Sequence, residues 1–79
     1  MTVNEAKDKK VGGDNYFKRG DFFESVNRYS QAIDILNKNK QDNELLCTCY
    51  SNRSACHAKL GNYETALSDA QECIKLNPR

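Results

Sequence analysis

The segment Phe17–Ile33 (FKRGDFFESVNRYSQAI) reappears, loosely rewritten, as Ala58–Ile74 (AKLGNYETALSDAQECI). Lys18 matches Lys59, Gly20 matches Gly61 and Asp21 matches Asn62. Phe22 then matches Tyr63, Val26 matches Leu67, Ala32 matches Cys73 and Ile33 matches Ile74. An internal duplication restricts the fold more than any composition figure, because each copy is a unit that cannot bury its apolar face alone. The chain has 79 residues, so two such units nearly fill it. A chain of this size buries only about 60% of the surface its unfolded form exposes. That argues against an enzyme built around a deep pocket and a cofactor.

The unit reads as helix, tight turn, helix. Gly20 and Gly61 can take the left-handed conformation that ends a helix. Asp21 and Asn62 offer a side-chain oxygen to cap the next one, and Glu24 stands where a capping box places an acid. After the first turn, Phe22, Val26, Tyr29, Ile33 and Leu36 form an apolar stripe of helical period. Tyr63, Ala66, Leu67, Ala70, Cys73 and Ile74 form one after the second. Leu46, Cys49, Tyr50, Cys56 and Leu60 give another stripe upstream of the second turn. The first helix is expected over about Asn4 to Arg19. Gly12 and Gly13 cost it about 1 kcal/mol each relative to alanine, so tertiary contacts must hold it. Asn37–Asn43 is wholly polar and reads as a loop or as an extra exposed turn of the second helix. Pro78 cannot continue a helix and is expected to close the last one near Asn77. The fold class is all-α: four antiparallel helices in two tandem hairpins, with no sheet.

Twelve Lys and Arg stand against 11 Asp and Glu, a net charge of +1. Such a balance provides no global field to hold nucleic acid or an anionic membrane. The N-terminal run has no apolar core of a signal peptide, and no stretch is long enough to span a bilayer. In that setting the 4 cysteines read as reduced thiols of a cytoplasmic protein rather than a disulfide framework.

These residues resemble a known family. Gly13, Tyr16, Ser25, Tyr29 and Ala32 in the first unit, and Ser54, His57, Ala66, Ala70 and Cys73 in the second, fall where tandem tetratricopeptide repeats carry small and aromatic residues. The resemblance implies a right-handed superhelical solenoid fragment. The first repeat would cover about 5–38, a loop 39–43 and the second repeat 44–78, as one domain over 1–79. A narrower likeness lies in Tyr50–Cys56, Lys59–Tyr63 and Asp69–Pro78, which resemble the co-chaperone branch that joins heat-shock protein 70 to heat-shock protein 90. Members of that branch hold the acidic C-terminal tail of a chaperone, ending Glu-Glu-Val-Asp, in a carboxylate clamp.

Carried over position by position, that resemblance places the clamp lysine of the first helix at Lys10 and the clamp asparagine of the third helix at Asn52. The clamp asparagine of the first helix falls on Asp14, a departure, since an acid repels the carboxylate it should hold. Lys10, one turn away, is positioned to pair with Asp14. Ala55, Ala58 and Lys59 follow Asn52 along the groove face. Helices one and three would line the concave side.

Other chemistry is weaker. Cys47, Cys49, Cys56, His57 and Cys73 could suggest a zinc site or a Cys–His pair. However, Cys47 and Cys49 point about 200° apart on a helix, and Cys56 and His57 splay by about 100°. No cofactor, metal or catalytic residue is expected. Most aromatics lie on apolar stripes and read as core, with Phe23 off the stripe. The function expected is therefore a protein-interaction module, binding the C-terminal peptide of a heat-shock protein 70 or 90 class chaperone. The alternative is a scaffold repeat with a different partner and no working clamp. Leu67, Ala70, Ile74 and Leu76 have nothing after them to cover them, which predicts low stability or self-association through the last helix.

Overall fold

The computed structural model describes residues 2–39 and 42–76. They form four helices: α1 (Val3–Lys18), α2 (Phe22–Asn39), α3 (Asn43–Lys59) and α4 (Tyr63–Leu76). α1 matches the expected span to within a residue at each end. The polar run after Leu36 is partly helix: α2 continues through Asn39, whose side-chain amide donates to the Ile35 carbonyl (2.8 Å). The expected helix stop at Asn77 and Pro78 lies outside the described residues.

Both hairpin turns close in the same way. Gly20 and Gly61 sit at φ +80° and +82°, the left-handed region that only glycine enters freely. The N–H of Gly20 donates to Phe17 O (3.0 Å) and that of Asp21 to Tyr16 O (2.9 Å). Gly61 repeats this with Ala58 O (3.1 Å) and Asn62 with His57 O (2.8 Å). This paired closure is a Schellman motif, which satisfies the last carbonyls of the helix. The starts of the following helices differ from each other. The Asp21 carboxylate accepts from Glu24 N (3.3 Å), but Glu24 turns its own carboxylate toward Arg28 (3.8 Å), so the capping box is half formed. α1 and α3 are capped by Thr2 and Asp42, which accept from Glu5 N (3.3 Å) and Leu45 N (2.9 Å).

The helices stack in order along the chain. Ala6, Ala32, Ile33, Ile35, Leu36, Leu46 and Cys49 form the buried core where α1, α2 and α3 meet, and Val3, Leu45, Tyr50 and Leu76 close over it. Each hairpin crosses at a pair of small residues. In the first, Ser25 Oγ donates to Gly13 O (2.8 Å). In the second, at the equivalent positions, Ser54 Oγ donates to Ala66 O (2.6 Å). Gly13 is required at its crossing, since a Cβ there would lie 2.6 Å from Tyr29 Cε1.

One sequence expectation is corrected here. Cys47 and Cys73 are joined in a disulfide, their Cα atoms 4.3 Å apart, so these two are not reduced thiols. The physical reason is the repeat itself. The positions equivalent to Cys47 and Cys73 in the first hairpin are Ala6 and Ala32, both wholly buried; two helices packed this tightly over small side chains bring paired cysteines within bonding reach. Cys49 and Cys56 are free and buried. The apolar stripe of α4 is mostly uncovered, as expected for Leu67 and Ile74, whereas Leu76 packs against the core. Only Ala66 of that stripe is buried, while Tyr63, Leu67 and Ile74 are 72%, 60% and 63% exposed. α4 packs on α3 through Ala66, Asp69 and Cys73, and no described element lies on its other side.

Candidate functional site

An open cleft of about 230 Å³ lies between α1 and α3, lined by Asp14, Phe17 and Lys18 of α1, Tyr29 of α2, and Asn52 and Ala55 of α3. Its chemistry centres on the Asp14 carboxylate. Lys10 Nζ lies 2.8 Å from Asp14 Oδ2, Asn52 Nδ2 donates to Oδ1 across 3.4 Å, and the Tyr29 hydroxyl donates to the same Oδ1. Three helices thus each send a donor to one carboxylate. Spacing explains the first pair, since residues four apart share a helix face. The second depends on α2 spacing α1 from α3 so that Asn52 reaches across. The third depends on Gly13, whose missing Cβ lets the Tyr29 ring lie against α1. Burial, and after it the hydrogen bond to Asp14, raise the pKa of the Tyr29 phenol above its ordinary value, so it remains a donor.

Of the residues singled out from the sequence, Asp14, Asn52 and Ala55 line the cleft, and Lys10 reaches it through its ion pair. Lys59 is exposed at the end of α3 and does not line the cleft; its counterpart in the first repeat, Lys18, does. Phe17 and Tyr29 were legible only as core residues. Tyr29 is core, 2% exposed, yet it presents its hydroxyl to the cleft. Phe17, eight residues before Ser25, and Tyr29, four after it, were visible, but their convergence with Asp14 depends on the helix crossing.

A second polar cluster ties α2, α3 and α4 together. Arg53 forms a fork with the buried Asp69 (Nε–Oδ2 2.8 Å, Nη2–Oδ1 2.7 Å) and donates to Ser30 Oγ (3.1 Å). Its guanidinium stands 5.4 Å from the centre of the Tyr50 ring. Hydrogen bonding to Asp69 raises the Arg53 pKa further. This cluster faces the helix interfaces and not the cleft. Among the described residues no group of three or more His, Cys, Asp or Glu is placed to hold a metal ion, and no helix is long and apolar enough to cross a membrane.

Two antiparallel helical hairpins closed by identical turns, crossing at small residues and related by an internal repeat, define a tandem helical-repeat protein of the kind that binds other proteins. Residues 13–79 match the family model of the tetratricopeptide repeat, and the chain belongs to that family. Among curated proteins it is 36% identical to stress-induced-phosphoprotein 1 of Caenorhabditis elegans over 94% of this chain and 21% of the relative. It is 38% identical to Hsp70-Hsp90 organizing protein 3 of Arabidopsis thaliana over 92% of this chain and 12% of the relative. It is 40% identical to protein unc-45 homolog B of Homo sapiens over 98% and 8%. The chain therefore spans about a fifth or less of the length of these relatives. No solved structure matches it.

Proposed function

We propose that this chain is a peptide-docking module whose cleft between α1 and α3 takes the acidic C-terminal tail of a heat-shock protein 70 or 90 class chaperone in the cytoplasm. One observation carries the reading: Lys10, Tyr29 and Asn52, from three helices, converge on a carboxylate in an open cleft. Cation and amide donors fixed on rigid helices are what an extended acidic peptide with a terminal carboxylate requires. Lys18 adds a cation at the edge, with no ion-pair partner among the described residues. The names of the relatives, organizing proteins of Hsp70 and Hsp90 among them, support the same class of partner. The test is fluorescence anisotropy with a labelled peptide ending Glu-Glu-Val-Asp, beside a C-terminally amidated copy. Saturable binding that amidation removes and Asn52→Ala weakens is expected. Equal binding of both peptides, or none of either, refutes the reading.

A second reading has one specific observation in its favour. The carboxylate in the cleft is the chain's own, so the donors are already engaged. On that reading the module is a scaffold repeat whose partner presents no free carboxylate, and the amidated peptide or an unrelated protein surface binds as well as the acidic tail.

A further inference from the structure

We infer that Asp14 is the specificity-determining residue of the cleft, an internal carboxylate that competes with a ligand's carboxylate for Lys10, Tyr29 and Asn52. The inference rests on the docking reading above and deepens it. Lys10 bonds Oδ2 while Tyr29 and Asn52 share Oδ1, so both oxygens of Asp14 are held, as those of a bound carboxylate would be. Charge-assisted bonds of this kind are stronger than neutral ones, and at least one must be surrendered before a peptide carboxylate can take its place.

Asp14 opposes such a ligand in a second way, through charge. The Asp14 carboxylate balances the charge of Lys10, and Lys18 is the remaining cation among the residues lining the cleft, so a ligand carboxylate arriving there meets a like charge. Asparagine at position 14 is the same size and reverses each effect. Its carbonyl still accepts from the Tyr29 hydroxyl, its amide adds a donor, and Lys10 is released to the ligand. The side chain changes from competitor to contact, with the helix crossing intact.

The test compares wild type, Asp14→Asn and Asp14→Asn/Asn52→Ala, each titrated with the free-carboxylate and amidated forms of the Glu-Glu-Val-Asp peptide. Asp14→Asn is expected to bind the free-carboxylate peptide about tenfold tighter or more, the scale of one charge-assisted hydrogen bond. The amidated peptide gains little, and the double variant loses the gain. Asp14→Ser, which keeps a small hydrogen-bonding group beside Tyr29, provides the same comparison if the asparagine form melts early. Wild type that binds the free-carboxylate peptide as tightly as Asp14→Asn overturns the inference and leaves the docking reading standing. A gain equal for both peptides overturns it as well, since the effect would then be general charge and not competition for donors. Binding by none of the folded forms overturns both.

Discussion

Gly12 and Gly13 occupy successive positions of α1, and alanine at the two is expected to have opposite effects. At Gly12 a new Cβ meets only the Arg28 side chain, at 3.7 Å, which is ordinary contact. Alanine there gains helix propensity, up to about 1 kcal/mol. At Gly13 the Cβ would stand 2.6, 2.8 and 2.9 Å from three atoms of the Tyr29 ring. The ring cannot swing aside, because it is 2% exposed and its hydroxyl is held by Asp14. Relief therefore has to come from separating α1 and α2, which strains the Ser25–Gly13 hydrogen bond of 2.8 Å. Overpacking costs about 1–3 kcal/mol and a weakened buried hydrogen bond about 1 kcal/mol more, against the same propensity gain. The net expectation for Gly13→Ala is a loss of about 2 kcal/mol, so the two variants differ by about 3 kcal/mol. For a domain of this size each kcal/mol moves the melting temperature by about 4–8 °C. Thermal melts followed by far-UV circular dichroism separate them readily. Gly13→Ala melting at or above wild type, or Gly12→Ala melting lower than Gly13→Ala, would refute the account of the crossing.

Reducing the Cys47–Cys73 bond, which closes a separation of 26 residues, is expected to cost about 3 kcal/mol. A Cys47→Ala/Cys73→Ala variant should melt like the reduced protein, and a melting curve indifferent to dithiothreitol would count against the link. Asp69→Ala strands the half-buried Arg53 and should lose about 3 kcal/mol in urea unfolding, whereas replacing both partners with apolar residues of similar size recovers most of it. Burial pushes the Cys49 thiol from 9.0 up to about 11 and raises Cys56 as well. The folded state thus keeps protons the unfolded state gives up. That stability is complete below about pH 9 and drains away as pH climbs toward 11, by about 3 kcal/mol for Cys49 at one pKa unit per 1.36 kcal/mol. Urea midpoints that stay level from pH 8 to 11 would contradict the burial. Self-association through Leu67 and Ile74 should appear as a concentration-dependent sedimentation coefficient, and Leu67→Lys/Ile74→Lys should abolish it.

The helices and turns were legible because they depend on local chemistry. Gly20 and Gly61 announce themselves by spacing, and the stripe from Phe22 to Leu36 leaves one face for α2 to bury. The expectation loosened where a residue has two local choices. Glu24 can reach back to the backbone or forward to Arg28, and the sequence does not rank them; the polar run after Leu36 can end a helix or lengthen it. α4 is the mixed case: Leu67 and Ile74 are uncovered as expected, whereas Leu76 packs against the core. Its stripe has helical period, but α3 covers only the edge that carries Ala66, Asp69 and Cys73, so periodicity identified apolar residues without saying which of them had a neighbour. The disulfide had a signal that composition hid. Superposing the repeats puts Cys47 and Cys73 on Ala6 and Ala32, a pair whose small size already marks the closest approach of two helices. Composition and setting carry none of that positional information.

The cleft shows why a site is harder to read than a fold. Lys10 and Asp14 could be paired from their spacing, and Asn52 could be placed on the groove face. None of these steps reveals that Tyr29 completes the set, because its hydroxyl reaches Asp14 only where Gly13 lets the ring lie flat against α1. The same glycine therefore serves stability and site geometry together. A Cβ at position 13 would push Tyr29 away from Asp14 as it pushed the helices apart. Hence the residue that the sequence marks as a weakness of α1, a costly glycine in mid-helix, is the one on which both the packing of the first hairpin and the donor set of the cleft depend.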